Sequence, residues 1–298
     1  MAIVYVNSIT GHSKAPGTAA RPLRDLAHAI AVAGPGGAVE ACGTFGGQTV
    51  HVPRLTLVGN DATIRAADSA HGILVFAPKV TICDFIVEQS RGGGIAAARG
   101  VDFLTLRRNL IWGNRGNGVS LIGGSGHIVQ DNRILGNIGT RDRHSSGISI
   151  LNPRAVETTA AYQLKILGNT IAGNGTLAGT DGFGMIADKW TVSTPTPFDG
   201  WALIADNQFS SNWNSGFYAY HARNIVLRGN TFAGNGTDPR FKRAVEIGLN
   251  DAQGVKLLRN IVTRSDRPSL ALLGNTTAVA LANNQLGDLA PWSRPLAA

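Results

Sequence analysis

Charge is scarce in this chain. Of 298 residues only 15% are Lys, Arg, Asp or Glu, against about 25% in a typical soluble domain. Disorder is nevertheless excluded, because 43% of the residues are hydrophobic, enough apolar area to offset ordering entropy. Cysteine is limited to Cys42 and Cys83. They fit no zinc spacing and cannot make a disulfide scaffold, so they read as buried small side chains, free thiols in preference to one bridge. No apolar run approaches the roughly 20 residues of a membrane-spanning helix. No basic block of five or more occurs, which excludes a simple basic tail. Met1 to Asn7 lacks the basic and apolar regions of a signal peptide, so a secreted or periplasmic location would require a signal absent here, with the cytoplasm as the alternative.

Gly and Asn are in surplus, at 38 and 21 residues. Gly has no period of three, so collagen is excluded. The Asn residues are periodic in another way. Asn109/Asn114, Asn132/Asn137, Asn169/Asn174, Asn207/Asn212 and Asn230/Asn235 each read Asn-x-apolar-x-x-Asn, with weaker copies at Asn260 and Asn284 and an earlier one at Asp84/Gln89. An alternating strand precedes each first Asn, and a second strand follows each pair, as in Gly118-Val119-Ser120-Leu121 and Gly216-Phe217-Tyr218-Ala219. Successive first Asn residues are 23, 37, 38, 23, 30 and 24 apart. A minimum near 23 with longer variants suits a coil of three short strands per turn whose loops lengthen while its rungs keep register. The expected fold is therefore all-β, a right-handed parallel β-helix, with the Asn residues forming amide ladders between rungs about 4.8 Å apart. Asn174 and Asn235 match glycosylation acceptors but fall on the ladder and are expected inside.

A solenoid end has to be covered. Pro22 to Pro35 is the one convincing helix, with Leu23, Leu26 and Ile30 on one face, and it is expected to cap the N-terminal end. The organisation expected is a single unit: strand and capping helix over 1–38, coils over 39–290, and a tail over 291–298. The opening Ile3-Val4-Tyr5-Val6-Asn7, then Gly17-Thr18, Arg21-Pro22-Leu23, the helix and Gly36-Gly37-Ala38-Val39 resembles that of pectate-lyase-like β-helix proteins. With the repeats, the resemblance spans nearly the whole chain and implies their fold.

Insertions mark the candidate functional face, because rungs are constrained and loops vary. They include Gly139 to Ser146, Pro153 to Tyr162, Thr176 to Asp181, Asp188 to Gly200 and Thr237 to Arg243. Strand alternation points Asp188, Tyr218, Tyr220 and Glu246 outward. Stacking then predicts two outward columns, Ser149/Ile186/Tyr218/Glu246 and Leu151/Asp188/Tyr220/Gly248. Asp188 and Tyr220 become neighbours, flanked by Lys189, Trp190 and His221 and by the loop residues Asp142 and His144, an acid/base constellation. Trp190, Trp201, Trp213 and Tyr218 are candidates to stack on sugars, and Arg143, Arg240, Lys242 and Arg243 to bind carboxylates. His221 and Glu246 complete the expected binding set.

Two segments also resemble mannuronan C5-epimerases. Asp142-Arg143-His144-Ser145 is similar to that family's Asp-Pro-His motif, and Thr180-Asp181-Gly182-Phe183-Gly184-Met185-Ile186-Ala187-Asp188 to its Asp-Gly-Phe strand. The resemblance implies that Asp142, His144 and Asp188 line a catalytic groove. The expected function is an enzyme on an acidic polysaccharide, abstracting the C5 proton of a uronic acid and ending in β-elimination or epimerisation. Tyr220, His144 or Lys189 would act as base and acid, with Asp188 and Asp142 tuning them. No cofactor is demanded, although Ca2+ is allowed, with Asp181 as a ligand. The alternatives are a glycoside hydrolase using paired carboxylates and a non-catalytic glycan-binding β-helix. The net charge of +8 agrees with a polyanionic partner, and nucleic acid is not expected because no binding motif accompanies it.

Overall fold

The structure, a computed structural model, describes residues 3–142, 144–190, 198–263 and 265–293. The chain winds as a parallel β-helix with three strands to a turn. The first face starts with Ile3–Asn7 and continues through Ala38–Phe45, Thr56–Arg65 and Thr81–Glu88. Later turns bring Thr105–Arg107, Ile128–Gln130, Leu164–Leu167, Ala202–Ala205, Arg223–Arg228, Gln253–Leu258 and finally Thr277–Ala282. Every strand pairs parallel with the one a turn away, so Val39, Leu57, Ile82, Leu106, Val129, Ile166, Ile204, Leu227 and Leu257 stack in one column. All of these are fully buried. Repetition of medium-sized apolar side chains from rung to rung fills the narrow interior.

The second face is reached through a corner one residue wide. Arg108, Asp131, Gly168, Asp206, Gly229, Arg259 and Asn283 all have positive φ, and each immediately precedes a ladder Asn. The next corner repeats the device with Gly113, Gly136, Gly173, Ser211 and Gly234 before Asn114, Asn137, Asn174, Asn212 and Asn235. Left-handed backbone turns the chain sharply, and Gly adopts it without steric cost. Six of these twelve corner positions are Gly.

The Asn residues themselves are buried and form the expected ladders. Asn169 shows the pattern: its Nδ2 donates to Val129 O (2.8 Å) and Asn207 Oδ1 (2.9 Å), and its backbone N–H also donates to Asn207 Oδ1. In return its Oδ1 accepts from the backbone and side chain of Asn132. One ladder runs from Asn109 to Asn284. The other runs from Asn114 to Asn235.

The third face is a nine-stranded sheet, and it includes the second strands that follow each Asn pair. The first turns are capped by the helix Leu26–Ala33, shorter than the predicted stretch. Asp25 accepts from the His28 N–H at its start, and Leu26, Ala29 and Ile30 bury their side chains. Cys42 and Cys83 are both free thiols. Burial pushes the Cys83 thiol up to about 11, which leaves it protonated and unreactive at neutral pH. No described helix is long and apolar enough to cross a membrane.

Candidate functional site

The outer side of the third face carries the candidate site. Its central strands are Ile148–Leu151, Met185–Asp188, Phe217–Tyr220 and Ile247–Asn250. Inward positions are filled by Ile148, Ile150, Met185, Ala187, Phe217, Ala219, Ile247 and Leu249, all with no exposed surface. The residues between them, and the one at each strand end, face outward. Register places Leu151, Asp188, Tyr220 and Asn250 in one column, and Ser149, Ile186, Tyr218 and Gly248 in the other.

The last rung corrects the predicted columns by two residues. Asn250, not Gly248, lies beside Tyr220, and Gly248, not Glu246, lies beside Tyr218. Glu246 is fully buried. It takes the place that Gly147, Gly184 and Gly216 hold on earlier rungs, and its carboxylate accepts from the backbone N–H (3.1 Å) and Nδ2 (2.5 Å) of Asn235. The five-residue spacing would put a further ladder Asn at position 265, where the chain has Ser265. Glu246 closes the ladder instead, so its role is structural.

Asp188 lies partly buried at the end of its strand. Its Oδ1 is buried and has no hydrogen-bond partner among the described residues. Burial pushes the carboxyl above its ordinary 3.8, opposed by the Lys189 and His221 charges and a backbone hydrogen bond from Lys189, and reinforced by Asp181. Lys189 and His221 follow Asp188 and Tyr220 at the corner, both with positive φ. The Tyr220 and His221 rings are 4.1 Å apart, and His221 Nε2 is 4.0 Å from Asp251 Oδ2. Tyr218 stacks on Phe183 at 4.8 Å, and burial raises its phenol while a hydrogen bond with Asn250 opposes the rise.

At the opposite edge of the face, His144 Nδ1 lies 3.1 Å from Asp181 Oδ2 and 2.5 Å from Thr180 Oγ1. Burial raises the Asp181 carboxyl, partly offset by His144. Asp181 therefore faces an imidazole, and among the described residues no three His, Cys, Asp or Glu side chains converge as a metal-binding set. A cleft of about 200 Å³ opens beside Tyr218, lined by Phe183, Asn214, Phe241 and Arg243. A second, of about 260 Å³, lies between His71, Asn117, Ser120 and His144.

Other expected residues are placed differently. Trp190 is only 1% exposed. Its Nε1 donates to Ile150 O (3.1 Å), and its ring packs edge-on against Phe198, so it fills the interior and cannot stack on a ligand. Arg240 is exposed but committed: its guanidinium pairs with Asp238 and donates to the carbonyls of Thr176 and Leu177. Its guanidinium also lies 5.8 Å from the Trp213 ring, and Trp213 is partly covered. Asp142, Lys189, Lys242 and Arg243 are exposed. Arg143 lies outside the described residues.

Sequence reading missed Asn250, Asp251 and Phe183 as members of this face. The signal for Asn250 was present: aligning Glu246-Ile247-Gly248-Leu249-Asn250 with Gly216-Phe217-Tyr218-Ala219-Tyr220 gives the observed register.

No curated protein sequence matches the chain. Solved structures do. The pectate lyase Pel9A superposes with a TM-score of 0.56 at 14% identity, over 99% of this chain and 81% of its own. The catalytic domain of a GH87 α-1,3-glucanase gives 0.52 at 11% identity, over 87% of this chain and 57% of its own. A GH136 lacto-N-biosidase from Eubacterium ramulus gives 0.50 at 14% identity, over 96% and 57%. At such identities the likeness is one of fold. The family described as right handed beta helix region matches residues 40–194. With that match across more than half its length, the chain belongs to the right-handed β-helix family and has a pectate-lyase-like fold.

Proposed function

We propose that this protein is a carbohydrate-active enzyme that takes an acidic polysaccharide along the outer side of the third face and abstracts the C5 proton of a uronic acid. One observation carries the reading: Asp188 holds a partly desolvated carboxyl, with one buried oxygen left unpartnered, directly beside Tyr220 on the next rung. A structural Asp would have its oxygens satisfied. A carboxyl of raised proton affinity beside a phenol is equipped to exchange protons with a bound molecule. Removing the C5 proton places negative charge next to the sugar carboxylate, and Lys189 and Arg243, both exposed at this face, supply the compensating charge. Departure of the C4 substituent then gives an unsaturated product, and return of the proton to the opposite face gives the epimer. The fold shared with a pectate lyase and with glycosidases supports this reading by analogy alone.

A glycoside hydrolase is the second reading, favoured by the pair Asp181 and Asp188. Burial raises both carboxyls, and the charge of Asp181 raises Asp188 further, as in sites where one acid stays protonated. A panel of polyuronates and neutral glucans separates the readings. Ultraviolet absorbance of a conjugated uronate marks elimination, deuterium uptake at C5 without chain cleavage marks epimerisation, and reducing ends without absorbance mark hydrolysis. Binding without turnover would replace all three with a glycan-binding module.

A further inference from the structure

The outward column that holds Asp188 continues toward the N-terminal end of the same face. Backbone pairing carries it from Leu151 through Ile122 and Ala98 to Phe76, and then to His51. The parallel column beside it reads Leu74, Ala96, Ser120 and Ser149, and three of these four side chains are small. At the far end the profile changes. Phe76 is 48% exposed, one of the most exposed large apolar side chains on the third face, and its ring stacks on that of the exposed His51 at 4.9 Å with planes 10° apart. Val75, its neighbour, is fully buried in the core, so Phe76 stands outward by strand alternation and not for lack of a well-packed interior.

An exposed apolar ring is costly to leave in water, and stacking on His51 covers one face of the Phe76 ring while the side chain as a whole stays 48% exposed. Aromatic faces accept the apolar face of a pyranose, and they do so with little loss of side-chain entropy. From Phe76 to Asp188 is four rungs, roughly 19 Å at about 4.8 Å a rung. That is of the order of four linked pyranose rings. Arg99, exposed, follows Ala98 directly on this track, and its Cγ lies 3.3 Å from the position a Cβ would take on Gly123, so its stem lies on the rungs between Phe76 and Asp188.

We infer that His51 and Phe76 form a distal sugar-stacking subsite, so that an acidic saccharide chain runs along the solenoid axis from Asp188 to this pair. The inference rests on the proposed function, since it takes the groove at Asp188 as the place where the saccharide reacts. Other occupants of an exposed aromatic pair, such as a protein partner, would not couple it to the length of a saccharide.

The test uses the full chain and Phe76→Ala, with Phe76→Trp as the conservative variant, on alginate and polygalacturonate and on oligosaccharides of increasing length derived from them. The ratio of kcat/KM for the polymer to that for a trisaccharide is expected to fall about fivefold in Phe76→Ala and to return in Phe76→Trp. An unchanged ratio in an active enzyme overturns the subsite while leaving the catalytic reading in place. Affinity electrophoresis in gels holding the same two polymers reads the subsite without turnover. Weaker retardation of Phe76→Ala than of wild type supports it even in a protein with no activity, and equal migration of the two overturns it. Activity that survives Asp188→Asn removes the catalytic reading separately.

Discussion

At the residue scale, the site centres on a carboxyl with one buried oxygen left without a hydrogen-bond partner among the described residues. Asp188 costs stability for the same reason that it is chemically useful. Its carboxyl is raised in the folded state, so the folded chain binds more protons than the unfolded one and stability falls as pH rises through and above the ordinary 3.8. Asp188→Asn is therefore expected to lower turnover by about 100-fold or more and yet to melt higher than wild type at pH 7. The advantage should vanish near pH 3, where the wild-type carboxyl is protonated. Melting curves at both pH values check it, and a lower melting temperature at pH 7 would mean that Asp188 is a structural residue. His127 provides the opposite sign. It stands in the inward column of the first face between Leu104 and Leu164, accepts from the Leu104 N–H, and has an unpartnered Nε2. Burial, opposed by Asp102, depresses the imidazole to about 4. Stability associated with it is complete above 6.5 and is lost as pH falls toward 4, about 3 kcal/mol in all. His127→Leu is expected to flatten this part of the stability profile, measured by urea unfolding between pH 4 and 7.

At the element scale, the ladders and corners carry the fold. Asn169→Ala would remove the acceptor of the buried Asn132 backbone N–H and a donor to the carbonyl of Val129, and is expected to cost about 3 kcal/mol or more. Asn284→Ala, at the partly covered end of the same ladder, is expected to cost clearly less. Urea midpoints of the two variants make the comparison. The rung glycines are as constrained as the Asn residues. A Cβ on Gly184 would lie 2.5 Å from Gly216 O and 2.7 Å from the Asn212 amide, so the ladder dictates Gly at the start of the third face. That constraint was legible as a recurring Gly, and so was the register of Asp188 against Tyr220. The exception at Glu246 was not read, because a charged residue at an inward position makes sense only once the missing Asn at position 265 leaves Asn235 needing an acceptor. Trp190 was misplaced for a related reason: it follows a rung but belongs to an insertion, where the two-residue alternation of a strand no longer applies.

At the scale of the molecule, the two ends differ. The helix covers the first turns, whereas Thr277–Ala282 pairs along one edge only among the described strands and is mostly exposed, with Leu281 at 39%. Such an edge invites pairing with another chain. Leu281→Lys is expected to reduce concentration-dependent association by at least about twofold, read by light scattering, with turnover unaffected. We propose that the coils form one cooperative unit under a single cap, as the expected organisation had it. A shared inward column from Val4 to Leu257 gives no natural break.

The sequence by itself determined the turns of this solenoid, their order and most of their register. Between stacked rungs each position meets its equivalent, so a requirement at one rung repeats at the next and becomes visible as a period. Which polar residues are desolvated, paired or free was decided only in three dimensions. The loops that cover Asp181, draw Trp190 inward and occupy Arg240 have no period, and burial there depends on neighbours dozens of residues away.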